Sequence, residues 1–190
     1  PGETIVIGAG FLGILAVQIL RTKYPDLELS IIDRNAFKLD IADKYVNKIF
    51  RLENSNKWSE FLRRHSFQNV IEATGSPDTF RRTISLAVHG GNILWMGNIT
   101  GELILPKDLV STVLRKELSI IGTWNSTYRP QKPDDWKKSL ELIQNGVRPS
   151  ELVTHWISLD ELPDTLKKLY DHKRREKVFN SVKVMVSNWA

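Results

Sequence analysis

The run Gly8-Ala9-Gly10-Phe11-Leu12-Gly13 constrains this chain more than any other feature. It follows a short β-branched segment, residues 4–7, and precedes a stretch with helical apolar spacing, residues 12–22. In a strand–turn–helix of this kind each glycine has its own reason. Gly8 makes the tight turn, Gly10 lets backbone come close to a pyrophosphate, and Gly13 lets the helix pack against the strand. The helix that opens there offers N–H groups and a positive dipole end to phosphate. Asp33 follows 20 residues after Gly13, at the end of a second strand-like segment, residues 27–32. A carboxylate there can accept hydrogen bonds from the hydroxyls of an adenosine ribose and repels a 2′-phosphate. The loop and the acid together point to a dinucleotide, with NAD favoured over NADP. Arg34 beside the acid is the one residue that could tolerate the extra phosphate.

Strand-like and helix-like segments alternate beyond the loop, the pattern of a parallel sheet with crossover helices. A helix over residues 36–44 leads to a short strand over 46–50, and a polar helical piece over 57–64 to a strand over 69–73. A helix opening on Pro77 and running to residue 88 precedes a strand over 92–96, with Gly90-Gly91 as the turn between them. An extended piece over 103–105, a helix over 107–115 and a strand over 118–121 complete six strands. A further helix, residues 134–145, stops at Gly146. The spacing predicts a doubly wound Rossmann α/β fold with a six-stranded parallel sheet over residues 1–150. Residues 151–190 change character, with an extended run over 152–157, a helix over 160–170 and an alternating strand over 181–186.

In an open α/β sheet the ligand lies beyond the carboxyl ends of the strands. Small or polar residues stand at three further strand ends: Ala73-Thr74-Gly75, Gly97-Asn98, and Gly122-Thr123-Trp124-Asn125. Small residues there let a nicotinamide lie against backbone. Each is also what a turn leaving a sheet looks like.

These residues resemble the zinc-dependent medium-chain dehydrogenases of the alcohol dehydrogenase superfamily. The likeness rests on Gly8 to Gly13, Asp33-Arg34 with Lys38, Glu72-Ala73-Thr74-Gly75-Ser76-Pro77, and Gly90-Gly91. The segment Leu114-Arg115-Lys116-Glu117-Leu118-Ser119-Ile120-Ile121-Gly122-Thr123-Trp124 is similar to the polyol branch. The resemblance spans essentially the whole chain and implies roles for matching positions. Phe11 and Leu12 would line the pyrophosphate loop, Asp33 would hold the adenosine ribose with Lys38 in support, and Arg34 would flank the adenine. Thr74 and Gly75 would meet the cofactor from the fourth strand, Gly97 and Asn98 would border the nicotinamide, and Trp124 and Asn125 would sit where cofactor meets substrate. Lys183 stands loosely where the family has a cation. Tyr45-Val46-Asn47 replaces the usual Gly-Ala-Asp and leaves the third strand's start open.

The resemblance implies hydride transfer between NAD and a polyol or polyol phosphate, with zinc as Lewis acid and with dimers or tetramers joined through the sheet edge near residues 102–105 and 118. A catalytic zinc takes three protein ligands from Cys, His or carboxylates. This sequence has no cysteine, and His65, His89, His155 and His172 lack ligand spacing. No catalytic or metal-binding residue is therefore assigned. Zinc is expected in a preceding domain of about 150 residues, toward which residues 151–190 would return. The isolated chain is expected to bind NAD without turning over a polyol. A non-enzymatic NAD-sensing module or a zinc-free carbonyl reductase are the alternatives.

Net charge is +5, with cations gathered between Lys167 and Lys177. No stacking aromatics interleave with them, so they read as a solvated helix end rather than a nucleic-acid or membrane surface. Arg129, Lys132 and Lys137 could help to hold a substrate phosphate or simply face solvent. Apolar runs are too short to cross a membrane, and the absence of cysteine suits a reducing, cytoplasmic compartment.

Overall fold

Four consecutive residues with no polar alternation suit a strand covered on both faces. Thr4–Ile7 forms such a strand, β1, buried along its whole length. The computed structural model describes residues 2–126, 134–174 and 178–187. The chain divides into two units, Pro1–Val147 and Arg148–Ala190.

In the first unit β1 leads through α1 (Phe11–Lys23) to β2 (Leu29–Asp33), α2 (Ala36–Ala42) and β3 (Lys48–Arg51). After α3 (Ser55–Arg64) the chain forms β4 (Phe67–Glu72), α4 (Pro77–Leu86), β5 (Ala87–Trp95), α5 (Lys107–Arg115), β6 (Ser119–Gly122) and α6 (Asp135–Gln144). The six strands lie parallel in the order β3-β2-β1-β4-β5-β6. This is the doubly wound fold expected from the sequence, and the order reverses between β1 and β4. Ile5, Ile7, Ile32, Val70, Ile84 and Ile93 form the centre of its core, each with at most 1% of its surface exposed. Each such side chain contributes about 1.5–3 kcal/mol by leaving water.

Three local expectations are corrected. Gly90-Gly91 is not a turn before the fifth strand but lies inside β5. The register moves from Phe67↔Ala87 to Asn69↔Asn92, so β5 carries a bulge there. Gly90, at φ +65°, donates its N–H to the Lys116 carbonyl at 2.7 Å. The helix expected over 36–44 ends at Ala42 and tightens into a 3₁₀ turn, Asp43–Tyr45. Residues 103–105 form no strand, and on that side the sheet ends at β6, as it ends at β3 on the other.

Asn47 anchors the start of β2. Its Oδ1 accepts from the Leu29 N–H at 2.9 Å and from the Arg21 guanidinium at 2.6 Å, and its own N–H donates to the Leu29 carbonyl at 2.7 Å. That clamp sets where β2 starts. At the end of α6, Val147 donates to the Leu142 carbonyl and Gly146 to that of Ile143, a Schellman closure.

The second unit holds a 3₁₀ turn (Pro149–Leu152), β7 (Val153–Ile157), α7 (Leu162–Lys173) and β8 (Lys183–Val186). β7 and β8 pair in parallel across α7, which makes a single βαβ unit. Lys183 opens β8, and its carbonyl accepts from the Thr154 hydroxyl at 3.1 Å. Among the described residues no helix is long and apolar enough to cross a membrane.

Candidate functional site

Because all six strands of the first unit run the same way, the residues that leave them gather along one edge of the sheet. The glycine loop leaves β1, Asp33 to Lys38 leave β2, Glu72 to Gly75 leave β4, Gly97 and Asn98 follow β5, and Trp124 and Asn125 follow β6. The crevice at the β1–β4 reversal is where such a fold takes a ligand.

The glycines of the loop differ in what requires them. Gly8 sits at φ +108°, and a Cβ on it would come 2.7 Å from the Thr74 methyl. A Cβ on Gly13 would collide with the Gly8 carbonyl oxygen. At Gly10 φ is −74° and nothing lies within 4 Å of where a Cβ would stand. Neither backbone nor packing asks for glycine there, so the space above Gly10 is a cradle that a side chain would fill. Helix α1 starts at that point with no capping side chain and no acidic residue in its first turn. The other described α-helices have one or the other: Asn35, Asn54 and Asp134 cap α2, α3 and α6, while Asp78, Asp108 and Asp164 lie in the first turns of α4, α5 and α7. The positive end of α1 thus meets no negative group of its own.

Asp33 is tied to this loop. Its Oδ2 accepts the Ala9 N–H at 2.7 Å and its Oδ1 the Asn35 N–H at 2.8 Å. An ionised carboxylate has about four acceptor positions, so these bonds fix its rotamer and leave others for hydroxyl donors. Asn35 also caps α2 through the Lys38 N–H, which sets the position of half-buried Lys38. Arg34 is exposed, as are Leu12, Thr74, Asn98, Trp124 and Asn125, whereas Phe11 is half-buried.

The β4 and β5 ends close on each other. Gly75, at φ +75°, packs so tightly that a Cβ would strike the Asn98 carbonyl, and one on Gly97 would strike the Gly75 nitrogen. The Gly75 carbonyl accepts from the Thr100 N–H at 2.9 Å and from its hydroxyl at 3.2 Å. Thr74 does not offer its hydroxyl to the crevice, for it bonds Glu72 and Thr79. At the centre stands Glu72, 0% exposed, which sequence reasoning did not place in the site. Its signal was an acid ending the apolar run Val70-Ile71, followed by Thr74-Gly75 and Thr79. Trp124, 70% exposed, and Asn125 lie beyond the same sheet edge, where Thr123 donates to the Trp95 carbonyl at 3.1 Å. Among the described residues no hydrogen bond joins them to the other candidate residues.

The residues present do not fit a catalytic zinc. Among the described residues no group of three His, Cys, Asp or Glu side chains could hold a metal ion. Arg129, Lys132, Arg175 and Lys177 lie outside the described residues. Two open clefts, one against Lys23 and Lys138 and one against Glu3, Lys48 and Arg64, lie at the opposite end of the strands from the glycine loop.

Residues 12–145 match the family model described as zinc-binding dehydrogenase, and the chain belongs to that family. It carries the doubly wound half of the fold. An L-threonine 3-dehydrogenase of Proteus mirabilis is 30% identical over 166 residues, covering 84% of this chain and 46% of that protein. A galactitol-1-phosphate dehydrogenase structure from Escherichia coli superposes with a TM-score of 0.72 at 24% identity, covering 92% of this chain and 51% of that one. A short-chain alcohol dehydrogenase of E. coli CFT073, complexed with NADH, gives 0.73 at 18% identity over 97% and 52%. A zinc-binding dehydrogenase of Sinorhizobium meliloti 1021, bound to NADP, gives 0.76 at 22% over the same shares. The chain spans about half the length of the curated relatives it matches.

Proposed function

We propose that this chain is the NAD-binding half of a zinc-type dehydrogenase that moves a hydride between a secondary alcohol, of the polyol or polyol phosphate class, and NAD. The observation that carries the cofactor choice is Asp33, whose carboxylate is held at the end of β2 by the Ala9 and Asn35 N–H groups. A fixed negative charge there suits two ribose hydroxyls and repels a 2′-phosphate. Gly8, Gly10, Phe11, Leu12 and Gly13 would receive the pyrophosphate at the uncapped start of α1, with Arg34 and Lys38 on the adenosine side. Thr74, Gly75, Gly97, Asn98, Trp124 and Asn125 would border the nicotinamide half. When bound, NAD supplies the hydride acceptor; the residues of this chain bind and orient it.

Zinc and the residues that activate the alcohol would come from a domain outside this sequence, since the ligand types it needs are not grouped among the described residues. The 30% identical threonine dehydrogenase favours a second reading of the substrate, the secondary hydroxyl of an amino acid. The polyol likeness of residues 114–124 favours the first. Copies of the chain would join through the open edge of β6 as dimers or tetramers.

Titration calorimetry tests the cofactor choice. NADH is expected to bind at least tenfold more tightly than NADPH, and Asp33→Ser should narrow that gap. Equal affinities in the unaltered chain would overturn it.

A further inference from the structure

We propose that Glu72 is a positioning residue for the nicotinamide half of the cofactor: its buried carboxylate pins the β4–α4 turn on which the end of β5 packs, so that the two form one preset wall. This rests on the dinucleotide reading above.

The donors around Glu72 make the argument. Oε1 accepts from the Thr74 N–H at 2.8 Å, the Thr79 hydroxyl at 2.7 Å and the Thr74 hydroxyl. The Gly75 N–H is shared between Oε1 and Oε2, at 3.2 Å each. No lysine, arginine or histidine pairs with it among the described residues. The carbonyl of the same residue accepts from Met96 and Gly97 at 2.9 and 3.0 Å. Glu72 therefore holds the β4–α4 turn through its side chain and the end of β5 through its backbone. A Cβ on Gly97 would strike Oε2, so β5 comes down directly onto the carboxylate.

An acceptor-only group suits this convergence, because the Thr74 and Gly75 N–H groups can only donate. Fold alone does not call for so costly a group. An isolated buried charge surrounded by neutral donors is an expensive way to close a turn, and an apolar end to β4 would avoid that cost. What the carboxylate adds is rigidity: four donors from Thr74, Gly75 and Thr79 fix the turn before a ligand arrives, and Gly97 and Asn98 pack against that turn. Preset walls raise affinity by removing the cost of ordering on binding. Gln at position 72 would turn an N–H₂ toward Gly75 or Thr74 and loosen that wall while preserving volume.

The test compares NADH with ADP-ribose, which has the adenosine, pyrophosphate and second ribose but no nicotinamide. In the unaltered chain both are titrated by calorimetry, then again with Glu72→Gln, with thermal unfolding followed alongside. The expected result is about a tenfold weaker NADH and an ADP-ribose affinity within about twofold, as for loss of one charged hydrogen-bond set. If both ligands weaken equally, or neither does, Glu72 does not position the nicotinamide half, and the proposal is overturned while the dinucleotide reading stands. If the unaltered chain binds no ADP-ribose, the dinucleotide reading itself fails and the proposal with it. Should Glu72→Gln not fold, Thr79→Val decides: it removes one donor and keeps the carboxylate. A selective loss of NADH affinity, smaller in size, supports the proposal, and its absence overturns it.

Discussion

Gly10 and Gly13 stand three residues apart in one loop, yet opposite demands act on them. A Cβ at Gly13 meets the Gly8 carbonyl, so Gly13→Ala must push α1 away from β1. Overpacking of that kind costs about 1–3 kcal/mol, which lowers the melting temperature by about 3–10 °C. A Cβ at Gly10 meets open space at an ordinary φ, so Gly10→Ala should leave the melting temperature within about 3 °C. NADH affinity should nevertheless fall at least tenfold, because the methyl fills the cradle above α1. Differential scanning fluorimetry with calorimetric titration separates the two outcomes, and a Gly10→Ala chain that binds NADH normally would remove the loop from the site. The spacing of the three glycines was readable from residues alone. So was the division of labour, Gly13 for helix–strand packing and Gly10 for a pyrophosphate; what the sequence could not give is which atoms lie opposite each Cβ, the Gly8 carbonyl at Gly13 and open space at Gly10.

Lys116 shows how an element is finished from a distance. Helix α4 ends at Leu86, and its exit passes the ammonium of Lys116, which donates to the Ser85 carbonyl at 3.0 Å and the Ala87 carbonyl at 2.7 Å. Two hydrogen bonds onto those carbonyls contribute about 1 kcal/mol, from which the burial of the charge subtracts. Lys116→Met should therefore lower the melting temperature by about 3 °C. Burial holds the Lys116 ammonium below the ordinary lysine value of 10.5. The unfolded chain thus keeps its proton at pH values where the folded chain has begun to lose it, and stability rises with pH across that window. Denaturant melts should show the gap between the natural chain and Lys116→Met widening as pH climbs toward 10.5, and a narrowing gap would reverse the sign. The segment 114–118, part of the run that resembles the polyol branch, thus has a structural role in joining α4, α5 and β6. The number of strands was legible because buried parallel strands read as apolar runs such as Val70-Ile71. The bulge at Gly90-Gly91 was not, because two glycines signal a turn and a bulge alike. Glu72 was missed for a related reason: an acid after a strand looks like an exposed turn until its donors are seen.

At the scale of the molecule, the sheet leaves one apolar edge open. β6 is the last strand in the order, and Leu114, Ile121 and Trp124 beside it are 73%, 56% and 70% exposed. An unpaired strand edge carries a row of free donors and acceptors, and proteins either protect it or use it to pair with another chain. Here no proline or lysine interrupts Ser119–Gly122. The cations close to it do not blunt the edge, for Lys116 is spent on α4 and Arg115 lies back on α5. A self-complementary strand of this kind suits a two-fold contact, in which β6 meets its copy antiparallel and both apolar patches are covered at once. Light scattering coupled to size-exclusion chromatography should find a dimer of the 21.8 kDa chain. Ile121→Lys places a charge against its own symmetry mate and should yield monomer, with the melting temperature of the separated chain changed little because Ile121 is already exposed. A chain that runs as a monomer before the substitution would show that β6 is a free edge and that any assembly uses another face.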